Sequence, residues 1–257
     1  MSLPRDWDAA TYDRVANPQT SWGTAVLDRL PLRGDETILD AGCGTGRVTE
    51  LLIERLPQGR VVALDASPAM VDEARRRLGR FAAQVDFLVA DLGQPFTLPG
   101  GVLADAILST ATFHWVPDHD ALFRNLAGVV RPGGRLVAQC GGAGNIASIR
   151  AILATIGDGW LGEAHYETPE ATADRLAAAG FTAIETWLQP EPTRFEAGEP
   201  LETFLRTVIL GGHVARLPDA DRDAFVHEVA SRLPEPVVDY VRLNIVATRG
   251  WPGGLSS

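Results

Sequence analysis

The sequence predicts an α/β fold, a mostly parallel sheet with helices on both faces, on three observations. A short β-branched and apolar run, Thr37-Ile38-Leu39, leads into glycines at 42, 44 and 46 and then into a helical pattern from about Arg47. That is the strand, turn and helix order of the first βα unit in a nucleotide-binding sheet. Three strand-like runs end at or beside an acid, namely Asp40, Asp65 and Asp91. Strand-like and helical runs then alternate through five βα units before a pair of strands closes the pattern, as parallel sheets require.

The elements follow in order. Residues 1–35 read as two short helices broken at Asn17-Pro18, because the residue before proline is pushed out of the helical region. Val48 to Leu56 continues the first helix of the sheet, and Pro57-Gln58-Gly59 ends it. Arg60 to Asp65 is a second buried strand, followed by a helix with Ser67 as cap and Pro68 in its first position. Val85 to Leu92 is the third strand and Ala104 to Ser109 the fourth. Thr110 to Trp115 is a switch segment, and Asp118 to Val130 is a helix closed by Arg131-Pro132-Gly133-Gly134. Arg135 to Gln139 is the fifth strand.

Beyond Gly141 the composition shifts toward glycine and alanine. Asn145 to Ile156 reads as helix, and Gly157 to Thr168 as a loop whose Trp160 and Tyr166 are available to line a pocket. Pro169 to Ala179 is a helix with Gly180 just past its end. Phe181 to Leu188 is the sixth strand and Val237 to Thr248 the last. Between them Leu201 to Leu210 and Asp219 to Leu233 form a helical pair interrupted at Gly211-Gly212 and Pro218, the pattern of a lid. The expected organisation is one domain over 1–257: a helical cover (1–35), a ligand-binding core (36–140) and a substrate-side half (141–257) with its insertion at about 199–234.

Composition bounds the function. A net charge of −10 without a basic run argues against nucleic acid as the main partner. Cys43 and Cys140 are the only cysteines, and Cys43 sits inside the glycine turn. A disulfide framework is therefore not expected, and a reducing cytoplasm is. The first residues lack an apolar signal core, and no apolar run approaches the roughly 18 residues that span a bilayer. A cytoplasmic monomer or homodimer with a small-molecule substrate and no membrane partner is the expectation. No His/Cys cluster has metal-ligand spacing, and no G-x-S-x-G elbow appears.

The glycine turn narrows the ligand. A dinucleotide fingerprint needs a third small residue where Arg47 stands, and Asp40 before the turn would repel a pyrophosphate. A nicotinamide dehydrogenase is disfavoured on both counts. A carboxylate there suits a ligand carrying an ammonium and a sulfonium, as S-adenosylmethionine (SAM) does. Asp65, about 20 residues on, stands where an acid holds two ribose hydroxyls. The string D-A-G-C-G-T-G (Asp40 to Gly46) resembles motif I of the class I SAM-dependent methyltransferases, and P-G-G-x-L-V (Pro132 to Val137) is similar to a weaker signature of theirs. The resemblance implies their seven-stranded Rossmann-like sheet. It also implies a cofactor site drawn from Tyr12, Asp40, Gly42, Gly44, Asp65, Ala66, Met70, Ala90, Asp91, Leu92 and Ser109, with Asp91 accepting from the adenine amino group. Met70 either lies against the adenine or only packs helix on sheet.

Phe113-His114-Trp115-Val116-Pro117-Asp118-His119, with the Trp7 and Tyr12 spacing, resembles trans-aconitate methyltransferases. Y-x-x-x-A-N-P-Q (Tyr12 to Gln19) and S-x-x-x-x-H-W (Ser109 to Trp115) are similar to motifs of insect juvenile hormone acid and plant salicylic acid carboxyl methyltransferases. Those families orient a substrate carboxylate with a Gln and a Trp, which implies Gln19 and Trp115 here. Trans-aconitate enzymes tend to carry a basic residue where Gln19 stands. Trp115 equally fits a core position under the lid, and Gln19 a helix cap or a contact with the cofactor carboxylate. His114 reads either as a general base or as a hydrogen-bonded structural histidine. His213 is a weaker candidate, while His119, His165 and His227 read as surface positions. Arg150 and Arg206 are candidates to pair an anion or, more simply, solvated side chains. The expected reaction is SAM-dependent methylation of a small organic molecule, preferably on a carboxylate oxygen. C- or N-methylation and a non-catalytic SAM-binding protein are the alternatives.

Overall fold

The structure is a computed structural model that describes residues 17–251, with backbone alone for 17–21. Helix α1 (Asn17–Leu27) precedes β1 (Thr37–Ala41), α2 (Arg47–Glu54), β2 (Arg60–Asp65), α3 (Pro68–Arg77), β3 (Val85–Val89), β4 (Ala104–Thr110), α4 (His119–Val129) and β5 (Val130–Gly141). Then come α5 (Ala147–Leu153), α6 (Pro169–Ala178), β6 (Phe181–Pro190), α7 (Glu199–Phe204), α8 (Gly211–Ala215), α9 (Asp219–Arg232) and β7 (Val241–Arg249). The seven strands lie in the order β3-β2-β1-β4-β5-β7-β6. Strands β1 to β5 are parallel, and β7 runs antiparallel between β5 and β6.

The period of two along the strands sorts the core into two layers. Leu39, Val62, Leu64, Ile107 and Leu136 face one way, against Leu122, Phe123 and Leu126 of α4 and Leu176 of α6. Ile38, Val61, Ala63, Leu108 and Val137 face the other, against Val26 and Leu27 of α1, Leu52 and Ile53 of α2, and Ala74 and Leu78 nearby. A third apolar cluster joins Ile149 and Leu153 of α5 to Phe204, Leu205, Val226 and Val229 of the insertion. The insertion thus carries its own core, continuous with the segment after β5.

Several boundaries differ from the sequence reading. β3 stops at Val89 because Asp91 turns the chain, its Oδ1 accepting from the Gly93 amide at 2.8 Å. β5 begins at Val130 rather than Arg135. A bulge between the Ala104–Val130 and Ala106–Arg135 pairs absorbs the Pro-Gly-Gly segment, with Gly133 at φ 78°. Gly211-Gly212 does not interrupt the lid as a loop. A π-helical turn over Leu205–Ile209 takes up the irregularity, and Gly211 opens α8. Val237-Val238 is a separate short ladder with Thr193-Arg194. Asp239 then leaves the strand path, its Oδ2 accepting from Ser148 N and Oγ, both at 2.9 Å, at the start of α5. No helix among the described residues is long and apolar enough to cross a membrane.

Candidate active site

The carboxyl ends of the parallel strands meet at one edge, and the glycine loop between β1 and α2 is built there. Gly42, Gly44 and Gly46 all have positive φ (89°, 53° and 83°), which an L side chain rarely adopts. A Cβ on Gly42 would lie 2.0 Å from Thr112 Oγ1, so this glycine lets the loop sit on the switch segment after β4. A Cβ on Gly44 would meet nothing within 4 Å: here the loop's backbone faces open space.

Two acids hold this loop. Asp65, at the tip of β2, accepts from Gly44 N through Oδ2 and from Ser67 N through Oδ1, both at 2.9 Å. Burial raises its pKa, and the amides of Ser67, Gly44 and Ala66 oppose the rise. Asp40 is 1% exposed. Its Oδ2 accepts from the Thr49 hydroxyl at 2.7 Å, while Oδ1 is buried without a hydrogen-bond partner among the described residues. Burial first, and the Asp65 charge with it, pushes the Asp40 carboxyl up to about 7 against the opposing Thr49 bond. A buried carboxylate oxygen left over beside an open glycine loop is what a cationic ligand would complete. A ligand bearing an ammonium and a sulfonium therefore fits, and Asp40 would hold its positive end while Asp65 keeps lone pairs for a diol.

The remaining predicted cofactor residues spread along the same edge. Ala66 and Ala90 are half-buried, and Ala90 N donates to Asp65 O at 3.1 Å, which joins the exits of β2 and β3. Asp91 is exposed beside them. Met70 is buried in the first turn of α3, its amide capped by Ser67 Oγ at 3.3 Å. Leu92 belongs to the core, where its carbonyl accepts from Asn125 Nδ2 at 2.9 Å. Ser109 departs from the expectation: its hydroxyl donates to Ala41 O at 2.6 Å and the residue is 1% exposed. That side chain ties β4 to β1 behind the loop rather than facing a ligand. Tyr12 lies outside the described residues, as does the Gln19 side chain.

A cavity opens between the switch segment and the lid. Ala111, His114 and Trp115 come to it from the end of β4, Trp160 and Tyr166 from the loop between α5 and α6, Ile209 and His213 from the lid, and Arg242 from β7. The expectation that Trp160 and Tyr166 line a pocket is met. Two of its residues, Ala111 (φ 56°) and Ile146 (φ 49°), hold left-handed backbone without being glycine, strain that is tolerated only where neighbours fix it. The Ala111 amide donates to Gln139 O at 2.7 Å and that of Ile146 to Asp239 O at 3.0 Å.

His114 is buried, and its Nδ1 accepts from the Gly141 amide at 3.3 Å. That bond assigns the proton to Nε2. Burial, then the charges of Arg242 and His119, lowers its pKa well below the ordinary histidine value. Both effects favour the neutral ring, and with Nδ1 taken by the Gly141 amide the geometry supports the hydrogen-bonded structural reading over the general base. His119 corrects the surface reading: it is 4% exposed, with Nε2 bonded to Phe113 O at 2.9 Å. His213 is likewise buried, Nε2 lying 2.9 Å from Trp160 O. Arg206 pairs Asp223 at the surface. Arg150 bonds Leu161 O at 3.2 Å and lies 5.4 Å from the Tyr166 ring centroid.

Arg242 is the residue that sequence reasoning missed. It is 3% exposed on the cavity wall, its guanidinium 4.8 Å from the Trp22 ring centroid and 6.0 Å from that of Tyr240. Its Nε donates to Gln139 Oε1 at 3.4 Å, and Gln139 Nε2 donates to Asn244 Oδ1 at 2.8 Å. The available signal was Arg242 and Asn244 alternating with apolar residues in V-R-L-N-I-V, polar positions that a strand buried on both faces would not carry without a purpose.

Comparison with known proteins shows the family. Residues 38–134 match the family described as "Methyltransferase domain". Trans-aconitate 2-methyltransferase of Methylobacterium nodulans is 34% identical over 183 residues, which cover 71% of this chain and 67% of that one. The Delftia acidovorans protein of the same name is 30% identical over 243 residues, 89% of each chain. The Methylobacterium radiotolerans one is 38% identical over 136 residues, a match spanning about half of each chain, 52% and 49%. Among solved structures, Haemonchus contortus phosphoethanolamine N-methyltransferase 2 in complex with S-adenosyl-L-methionine superposes with a TM-score of 0.64 at 18% identity. That match covers 95% of this chain and 57% of that one, a likeness of fold.

Proposed function

We propose, for a chain that belongs to the class I SAM-dependent methyltransferases, that the group methylated is a carboxylate oxygen of a small organic acid, giving a methyl ester. One observation carries this choice: the cavity presents the cation of Arg242 and the ring of His114, whose Nδ1 lone pair is already taken by the Gly141 amide. An amine, phenol or carbon acid needs a proton removed before or during attack; a carboxylate does not. When bound, SAM supplies an electrophilic methyl on a sulfonium. The chain's part is to hold the acid in line with that methyl and to keep water out.

The roles divide by element. The glycine loop, Asp40 and Asp65 bind the cofactor, with Asp40 toward its ammonium and Asp65 toward its ribose. The Trp115 indole N–H and the His114 Nε2–H are donors that orient the substrate carboxylate. Donors of this kind orient an anion without withdrawing much of its charge, so the oxygen stays nucleophilic. The trans-aconitate relatives support an acid as substrate.

The test is a transfer assay with methyl-labelled SAM over a panel of acids, amines and phenols. A methyl ester releases labelled methanol in alkali, whereas N- and C-methyl products do not. Alkali-labile label on acids is the expected result; alkali-stable label overturns the proposal.

A further inference from the structure

We infer that the substrate is a monocarboxylic acid with an apolar body, whose single charge pairs with Arg242 while the lid covers its hydrocarbon. This rests on the carboxylate reading and goes further, because trans-aconitate, for which the relatives are named, carries several carboxylates.

Charge and lining together support it. Among the described residues lining the cavity, Arg242 is the one lysine or arginine, and Glu163 contributes the opposite charge. Much of the rest of the wall is apolar: Ile146, Trp160, Leu161, Val208 and Ile209. A triacid would bring three negative charges against one guanidinium and leave carboxylates facing aromatic and aliphatic carbon. Desolvating an unpaired carboxylate is costly, whereas burying a hydrocarbon chain there is favourable.

Arg242 is built to present its charge at one place. It extends from β7, backed by the Gln139–Asn244 amide pair and flanked by the Trp22 and Tyr240 rings. The lid brings Val208 and Ile209, which follow α7 in the π-helical turn, to the cavity wall together with Gly212 and His213. The strands thus supply the cavity's guanidinium, and the lid adds Val208 and Ile209 to its apolar wall.

The experiment compares 4-phenylbutanoate and octanoate with trans-aconitate, using the wild-type protein, methyl-labelled SAM and the alkali test above. The expected result is ester formation with kcat/KM at least about 10-fold higher for the apolar monoacids. Arg242→Met should raise KM for them by about 100-fold with kcat changed much less, and Arg242→Lys should recover part of the loss. Faster esterification of trans-aconitate overturns this inference and leaves the carboxylate reading standing. Alkali-stable label, or no labelled acid of either kind, removes the carboxylate reading and this inference with it. The wild-type comparison does not depend on how the Arg242 variants fold. If they fold and KM does not move, Arg242 is not the anchor.

Discussion

The Gly44 amide donates to Asp65 Oδ2 at 2.9 Å, so the loop leaving β1 is pinned to the tip of β2. The same carboxylate takes the Ser67 amide at the start of α3. One side chain thereby fixes the open backbone of the glycine loop, and it is the residue proposed to hold the ribose. Asp65→Ala should remove both functions. The expected outcome is a loss of affinity for S-adenosylhomocysteine (SAH) of about 30- to 100-fold, by the 2–3 kcal/mol that lost charged hydrogen bonds are worth. Isothermal calorimetry reads it, and unchanged affinity would show that Asp65 does not face the cofactor.

Asp40 predicts a pH dependence. Its folded pKa of about 7 stands above the ordinary 3.8, so the folded protein keeps a proton that the unfolded chain gives up between about pH 4 and 7. Through this group, the ligand-free protein loses stability as pH rises across that window. Binding of an ammonium-bearing ligand reverses the preference and expels the proton. SAH affinity should fall roughly tenfold per pH unit below about 7, and proton release should appear in buffers of differing ionisation enthalpy. Asp40→Asn should flatten that dependence. A flat profile in the wild type would place the ligand's cation elsewhere.

Gly42 and Gly44 should separate folding from binding. Gly42→Ala sets a Cβ 2.0 Å from Thr112 Oγ1 at φ 89°, and overpacking of that kind costs about 1–3 kcal/mol. Gly44→Ala meets no atom and carries only the left-handed backbone cost, about 1–2 kcal/mol. The first variant should therefore melt at the lower temperature. The second should lose more SAH affinity than its stability loss explains. Equal effects of the two on binding would mean that the space above Gly44 is not the cofactor's.

Because His114 is kept neutral, kcat at saturating SAM and acid should show no ionisation near 6.5. His114→Asn, which keeps an N–H donor, should retain more activity than His114→Leu. A pH-rate limb near 6.5 in the wild type that disappears in His114→Asn would restore the base.

Most of the sheet was legible because its strands are uninterrupted apolar runs between glycine and proline turns. Leu39 and Ile38 had only one way to be sorted onto the two faces. What escaped depended on long-range polar contacts. Nothing local in Val237 to Thr248 shows that Asp239 is drawn out of the strand to Ser148, 91 residues away. His119 opens a helix as a surface residue would, yet its ring reaches Phe113 O. Ser109 lies in a motif segment, but its hydroxyl is committed to the sheet. Arg242 is not legible in the sequence because a single arginine in a strand carries no spacing to recognise. Only the packing of β7 between β5 and β6, beneath the lid, gives it meaning.

A crystal structure of the protein with SAH bound tests most directly whether cofactor cradle and substrate cavity adjoin. The predicted result places the ribose on Asp65, the amino group toward Asp40, and the sulfur facing the space bounded by His114, Trp115 and Arg242. A sulfur turned away from that space, or a ligand held clear of Asp40 and Asp65, would contradict it.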